Sequence, residues 1–364
     1  MSPVTIPLVD VHSQYEPLIP ELEARFREVL DGKQFVRGPQ YRAFEAEAAA
    51  FLGVKTAIGV ANGTDALVLA LDAMGIGPGD EVVCPAFTFY ATAEAIARRG
   101  ATPVFSDIDP VTLNVDPEDV AAKITTRTKA LMPVHLFGRP APLDELAGLG
   151  LPILEDAAQA FGAPGVARRG VLSTYSFYPT KNLFCLGDGG LVVSNDDDLA
   201  DRVRMLSFHG SRDKVDFDLV GYNSRLDELQ AGFLRIFLEH IDEWNRGRRE
   251  AALRYAELGL GELVELPHDE PGHIYHLVVC RSVDRDRIVG ALAEAGIGTA
   301  TYYVTPLHLQ PALRYLGYER GSLPVTEQAA EENFSVPLWP GMPVEAQERV
   351  VDVVRSAVGV AAAR

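Results

Sequence analysis

Apolar residues recur along the chain in two alternating rhythms. Short runs such as "TAIGVAN" (56–62), "DEVVCPAF" (80–87), "TPVFSDID" (102–109), "TKALMPVHLFG" (128–138), "LPILEDAA" (151–158), "VLSTYSFYP" (171–179) and "GGLVVSND" (189–196) are bounded by Gly, Pro or Asp and have the length of strands. Between several of them lie stretches with helical spacing, such as "GTDALVLALDAMG" (63–75), "ATAEAIARRG" (91–100), "PEDVAAKI" (117–124) and "PLDELAGLG" (142–150). This alternation predicts an α/β fold whose central sheet is mostly parallel and covered by helices on both faces. The late runs are joined by short turns, which predicts that some of them pair antiparallel.

The pattern changes at 224–258. Leu226, Leu229, Phe233 and Ile236/Phe237 follow a helical period, which predicts one or two long helices leaving a first domain. Beyond them, "IYHLVVCRS" (274–282) and "GTATYYV" (298–304) are predicted strands, "RDRIVGALAEAG" (285–296) a helix, and "VEAQERVVDVVRSAVGVAA" (344–362) a closing amphipathic helix. The expected organisation is a large domain over 1–245 and a smaller C-terminal α/β domain over 246–364. The segment 1–30, with its helix "LIPELEARFREVL", is free to pack on the small domain.

The chain has 364 residues, enough for this two-part plan, and ordinary soluble-protein hydrophobicity. Its formal net charge of −18 repels phosphate backbones and argues against nucleic-acid binding. Cys84, Cys185 and Cys280 lie far apart with no metal-ligand spacing, so no metal site is expected and the thiols are read as reduced. No apolar run is long enough to span a membrane, and the N-terminus lacks the pattern of a secretory signal, so a cytoplasmic location is expected.

In open α/β sheets ligands bind beyond the C-terminal ends of strands, and four candidates fall there. In "NGTDAL" (62–67) a glycine opens a helix after a strand; Gly63 permits close approach, and free N–H groups of Thr64 and Asp65 would suit a phosphate. An ordinary N-cap explains the same residues. Asp156 follows an apolar strand, so its carboxylate needs a cation or good hydrogen bonds; a protonated ring nitrogen would serve, and so would a helix cap. Phe89 could lie against a planar ring or simply be core. Lys181, in "SFYPTKN" (176–182), is flanked by aromatic and small residues; it is either a loop lysine or an amine whose pKa is lowered for imine chemistry. A bland dinucleotide-binding reading wants G-x-G-x-x-G at the first turn, and "VANGTDAL" lacks it. Together a phosphate turn, a stacking aromatic, a carboxylate for a ring nitrogen and Ser-x-x-x-x-Lys are the parts of a pyridoxal phosphate site.

With "EDAAQAFGA", "SFYPTKNLFCLGDGG", "PAFTFYAT", "GYNSRLDELQAGFLR", "TPLHLQPAL" and "FSVPLWP", the chain resembles the DegT/DnrJ/EryC1/StrS nucleotide-sugar aminotransferases along nearly its whole length. The resemblance implies fold type I of the pyridoxal phosphate enzymes (aspartate-aminotransferase-like). It implies pyridoxal 5'-phosphate, with a pyridoxamine phosphate form, as cofactor, an amino-acid donor (L-glutamate), and a dTDP- or UDP-linked keto-sugar acceptor. On the same ground Lys181 binds the cofactor aldehyde and shuttles a proton, Asp156 pairs with the ring nitrogen, and Phe89 stacks on the ring. Gln159 lies near its 3-oxygen, and Gly63, Thr64, Asp65 and Ser176 hold the phosphate. Asn223 would reach the phosphate of a neighbouring subunit, implying a homodimer with shared sites, and Tyr302 and His308 fall where the sugar nucleotide is contacted. The family pattern has glycines where Thr180 and Phe184 stand, so Phe184 and Cys185 are expected to reshape the turn beside the sugar. Relatives with histidine at the lysine position are dehydratases; Lys181 favours amino transfer over that alternative, and over a non-catalytic regulator of the same fold.

Overall fold

The computed structural model describes residues 5–359. Its described strands are β1 (Thr56–Val60), β2 (Glu81–Pro85), β3 (Thr102–Ser106), β4 (Thr128–Leu131), β5 (Leu154–Asp156), β6 (Leu172–Ser176), β7 (Gly190–Ser194), β8 (Val278–Arg281) and β9 (Asn333–Val336). The first seven form one sheet in the order β1-β7-β6-β5-β4-β2-β3: two hydrogen-bonded groups are joined where Leu131 bridges Ile153 and Val134 bridges Asp156. β7 runs antiparallel to both neighbours, while β2–β3, β2–β4 and β5–β6 are parallel. The mostly parallel sheet with late antiparallel pairing is therefore as the sequence pattern predicts.

Side chains alternate between the two faces because the strand period is two. Ile58, Val60, Leu172 and Val192 enter one core with the helices Gly63–Ala73, Ala91–Arg98 and Asp197–Leu206. Ala57, Tyr175, Leu191 and Val193 enter the other, against the helices Pro39–Leu52 and Glu228–Leu238. Burial on both faces explains the near-continuous apolar runs. The helix Pro39–Leu52 goes beyond the elements expected from the pattern. It starts with Pro39 in its first turn and ends at left-handed Gly53. Its first N–H groups are capped from far away: the Glu228 carboxylate accepts from Gln40 N and Tyr41 N, both at 2.9 Å.

Two helices, Glu228–Leu238 and Ile241–Glu257, fill the expected helical stretch. The expected boundary at 245/246 falls inside the second. Ile241 and Trp244 pack into the large core, whereas Ala251 and Tyr255 pack into a separate core with β8, β9 and the helix Val344–Val358. Residues 360–362, expected at the end of that helix, lie outside the described residues. The predicted strand 298–304 is replaced by a single bridge, Ala300 with Ser335, and the antiparallel partner of β8 is β9. Ile6 occupies the place beside that segment: Gly298 N donates to Ile6 O at 2.7 Å, and Ile6 bridges Ile297. Residues 5–8 thus belong to the small core, while Leu18 and Leu22 pack on the large one. Leu307, Leu313 and Leu323 also return to the large core, so residues 307–323 strap the two parts together.

Candidate active site

The strand order brings the ends of β1, β2, β5 and β6 to one edge of the sheet, which gathers the four sequence candidates. After β1, Asn62 caps the helix Gly63–Ala73, its side chain accepting from Asp65 N at 2.8 Å. The Asp65 N–H, expected to be free, is therefore already used, whereas those of Gly63 and Thr64 have no hydrogen-bond partner among the described residues. Gly63 is required by proximity. A Cβ there would lie 2.7 Å from the Cβ of Ser176 at the end of β6, so a side chain would fill the space between turn and serine.

Asp156 ends β5 and is 4 % exposed. Thr92 Oγ1 donates to its Oδ2 at 2.9 Å and Ala158 N to its Oδ1 at 3.2 Å. Among the described residues no cation lies within ion-pair distance of it. Burial accordingly pushes its pKa up, against the two hydrogen bonds and the more distant Lys181 and His135. Lys181 follows β6 in a turn closed by Lys181 N donating to Tyr178 O at 2.8 Å. Burial pushes its amine down to about 8, and Asp156 opposes that shift. A buried carboxylate short of a cation and a partly neutral amine thus share one edge.

Phe89, in the loop after β2, is 58 % exposed, an unusual position for a core phenylalanine. It faces Tyr303, ring centroids 6.3 Å apart and tilted 41°. Gln159 is buried and held at both ends of its amide: Phe137 N donates to Oε1 at 2.6 Å, and Nε2 donates to Tyr303 Oη at 3.2 Å. Tyr303 also packs on Phe87 and Phe137. It is the next residue after Tyr302, and the "YY" doublet is the signal that located the neighbourhood but not which ring enters it. Thr92 was equally hidden, although it lies one helical turn from Thr88 inside "PAFTFYAT".

Burial sets the surroundings of two further sequence candidates. His308 is 1 % exposed, its Nε2 is 3.0 Å from Glu327 Oε1, and its ring meets Tyr318 edge-on; it anchors the 307–323 strap. Phe184 and Cys185 are fully buried, Phe184 between Phe237 (4.7 Å) and Trp244 (5.8 Å), so they fill the core beneath the lysine turn and do not shape a sugar-facing surface. Tyr302 is half-buried, its N–H held by Asn333 Oδ1 at 2.8 Å. Asn223 is exposed after a bridge to Phe208. All three cysteines are buried and unpaired. No group of three or more metal-ligating side chains occurs among the described residues, and no described helix is long and apolar enough to cross a membrane.

A seven-stranded sheet in this order, with a carboxylate ending the central strand and a lysine beyond the next, defines the class: a fold-type-I aminotransferase architecture. The family model for the DegT/DnrJ/EryC1/StrS aminotransferases matches residues 18–355, and the chain belongs to that family. It is 45 % identical over 364 residues to a pleiotropic regulatory protein of Geobacillus stearothermophilus, covering 96 % of this chain and 98 % of the relative. It is 43 % identical to the dTDP-3-amino-3,4,6-trideoxy-alpha-D-glucose transaminase of Streptomyces venezuelae, with 96 % and 95 % covered. Among solved structures, S. venezuelae DesV in complex with a ketimine intermediate superposes with a TM-score of 0.94 at 43 % identity, covering 99 % of this chain and all of that one. Bacillus subtilis ntda with bound cofactor PMP superposes at 0.91 with 29 % identity, covering 98 % of this chain and 86 % of that one.

Proposed function

We propose that this aminotransferase carries pyridoxal 5'-phosphate on Lys181 and moves an amino group, taken from L-glutamate, to the C3 keto group of a dTDP- or UDP-linked sugar. The observation that carries this reading is Asp156, a buried carboxylate without a cation, set at the same sheet edge as an amine whose pKa has fallen to about 8. Bound there, the cofactor supplies an aldehyde for an amine and a protonated ring that takes up electrons when a Cα–H bond breaks.

The chain's own residues supply the rest. Asp156 Oδ1 and Oδ2, fixed by Ala158 N and Thr92 Oγ1, keep a negative charge aimed at the ring nitrogen. The N–H groups of Gly63 and Thr64, at the start of an eleven-residue helix, and the Ser176 hydroxyl hold the phosphate. Asp65 is given no phosphate contact, since its N–H is taken by the Asn62 cap and its carboxylate repels phosphate. Phe89 covers one ring face, and Gln159, immobilised by Phe137 and Tyr303, meets the ring oxygen. Lys181 Nζ, largely neutral above about pH 8, would accept the proton from the donor's Cα and pass it to the carbon that was the cofactor's aldehyde, on the other side of the shared nitrogen. Tyr302 and Tyr303 form the wall on the sugar side; His308 is not assigned a substrate contact because Glu327 and the core enclose it.

The choice of C3 follows the S. venezuelae transaminase, whose name places the amino group on that carbon. A second copy of the chain completes the site, with exposed Asn223 reaching the partner's phosphate. Val220 and Phe217 are exposed apolar side chains near Asn223 in the chain that such a contact would cover. The name of the G. stearothermophilus relative favours a second reading, a regulator that keeps the fold. Turnover separates the two. Borohydride reduction of the holoenzyme followed by peptide mapping should tag Lys181. The pyridoxamine form, offered a panel of 3-keto and 4-keto sugar nucleotides, should regain the aldehyde spectrum with a 3-keto sugar. A tag on another lysine, or no response to any sugar nucleotide, overturns the proposal.

A further inference from the structure

Behind Lys181 lies a chain of buried polar groups that the reaction does not require. Asn182, the next residue, is fully enclosed, as are Asn245 on the helix Ile241–Glu257 and His276 just before β8. Their hydrogen bonds run in one forced direction. Asn245 Nδ2 donates to the Phe161 carbonyl at 3.1 Å, so its Oδ1 faces Asn182 and must accept. Asn182 Nδ2 therefore donates to Asn245 Oδ1 at 2.7 Å. That leaves Asn182 Oδ1 toward His276 Nδ1 at 3.2 Å, and the imidazole must carry its hydrogen on Nδ1. Each link is fixed by the carbonyl at the far end, because a buried amide cannot be flipped without leaving a donor against a donor.

His276 itself has little freedom. Its N–H donates to Phe137 O at 2.8 Å and its carbonyl accepts from Arg248 Nη1 at 3.3 Å. A Cβ on Gly138, whose φ is +89°, would lie 2.7 Å from His276 N, so the two backbones meet in contact. The same Phe137 holds Gln159. The small domain's entry strand is thus clamped to the turn that fixes one cofactor-facing side chain and, through its ring, to the residue beside Lys181. The charged groups facing this assembly are Lys181 and Asp156 from the sheet edge and Arg248 from the interdomain helix. Burial holds the imidazole neutral, which keeps its Nδ1–H committed to Asn182.

We propose that His276 is a positioning residue for the reacting amine: its Nδ1–H, acting through Asn182, fixes the backbone that carries Lys181 and makes the amine's placement depend on the small domain. The inference rests on Lys181 being the cofactor-binding amine, and borohydride mapping decides that separately. The test uses the full chain stripped of cofactor, with Lys181 acetylation by acetic anhydride followed as a function of pH. In the unaltered protein half-maximal reactivity is expected near pH 8, where burial places the amine. His276→Leu removes the donor, frees the turn toward water and moves the midpoint up toward the ordinary lysine value of about 10.4. It also slows recapture of added pyridoxal phosphate by about tenfold, the size of one buried group left unsatisfied. His276→Asn, which keeps a donor near the Nδ1 position, restores both. Should His276→Leu fail to fold, His276→Gln, with its donor one bond too far, takes its place. The double variant His276→Leu with Asn182→Ser should be no worse than either single change. A His276 variant that folds less well but keeps the midpoint near 8 and the capture rate overturns the inference while leaving Lys181's role intact. A borohydride tag elsewhere overturns the role as well.

Discussion

Two adjacent carboxylates at the end of β5 point to opposite sides of the sheet and live under opposite rules. Glu155, on the far side, is fully buried and over-supplied with donors. His135 Nε2 lies 2.9 Å from its Oε2, with the hydrogen on that nitrogen because Nδ1 accepts from Ala141 N. Ala167 N, Arg169 N and Gly170 N donate as well. Those contacts outweigh burial and hold its pKa below the ordinary carboxylate value. Asp156, one residue on, has two donors and no cation, and its pKa moves up. A carboxylate saturated by its own chain is a structural joint; one left short of positive charge is a receptor for it. The pair shows that burial alone does not mark a functional acid, whereas burial with an unfilled partner position does.

Removing the group opposite Asp156 should have the largest effect. Lys181→Ala loses the borohydride tag, and turnover falls by about 10⁴ or more, since no other described lysine shares this edge. Because the amine is partly desolvated, the same change should raise the melting temperature of the cofactor-free protein at neutral pH. Asp156→Asn comes next. It keeps both hydrogen-bonding atoms near Thr92 and Ala158 but removes the charge, so the cofactor still binds and turnover drops by about 10²–10³. Thermal stability without cofactor should hold or rise. Steady-state kinetics beside calorimetry checks both halves, and a stability loss without a rate loss would make Asp156 another Glu155.

Glu155→Gln should give the mirror image. It puts an amide against backbone donors and unpairs His135, at a cost of about 3 kcal/mol in unfolding free energy, with turnover per folded molecule little changed. The two acids also differ in sign with pH. Glu155, whose folded pKa is lowered, contributes stability above its unfolded value of about 4.3 that is lost as pH falls through the folded value. Asp156, whose folded pKa is raised, binds its proton more readily when folded, so its penalty is present at neutral pH and is relieved on acidification. Denaturant titrations from pH 7 to 2 should therefore place the two variants on opposite sides of the parent at neutral pH and bring both toward it in acid, the Glu155 difference closing only below about pH 4.3.

What could be read from the chain follows the range of the interactions involved. The alternation of strands and helices, and the placing of Gly63, Phe89, Asp156, Ser176 and Lys181 at strand ends, rest on local pattern and on the rule that ligands gather at one sheet edge. What stayed hidden depends on contacts across the chain. The helix at 39–52 is capped by Glu228, nearly 190 residues away. Ile6, from the other end of the chain, bridges Ile297, and the segment 298–304 keeps a single bridge, Ala300 with Ser335. His308 and Phe184 carry the right residue types in the right motifs, yet Glu327 and Trp244, placed by other helices, draw them into the core. Tyr303 and His276 act only through Gln159 and Asn182, and no spacing in the sequence records that pairing.

The smallest expected effect tests how far the receptor side of β5 extends. Tyr303→Phe removes one hydroxyl and leaves the ring against Phe87, Phe89 and Phe137. Gln159 keeps its bond from Phe137 N and loses only the acceptor for Nε2, which turns to water or substrate. One neutral hydrogen bond is worth about 1 kcal/mol, so a roughly fivefold fall in kcat/KM is expected with the melting temperature nearly unchanged. If the hydroxyl serves only to hold Gln159, Gln159→Leu made in the Tyr303→Phe background should cost no more than Gln159→Leu alone. Additive losses would instead mean that Tyr303 touches the sugar directly, and the receptor side would then reach from the ring nitrogen to the acceptor.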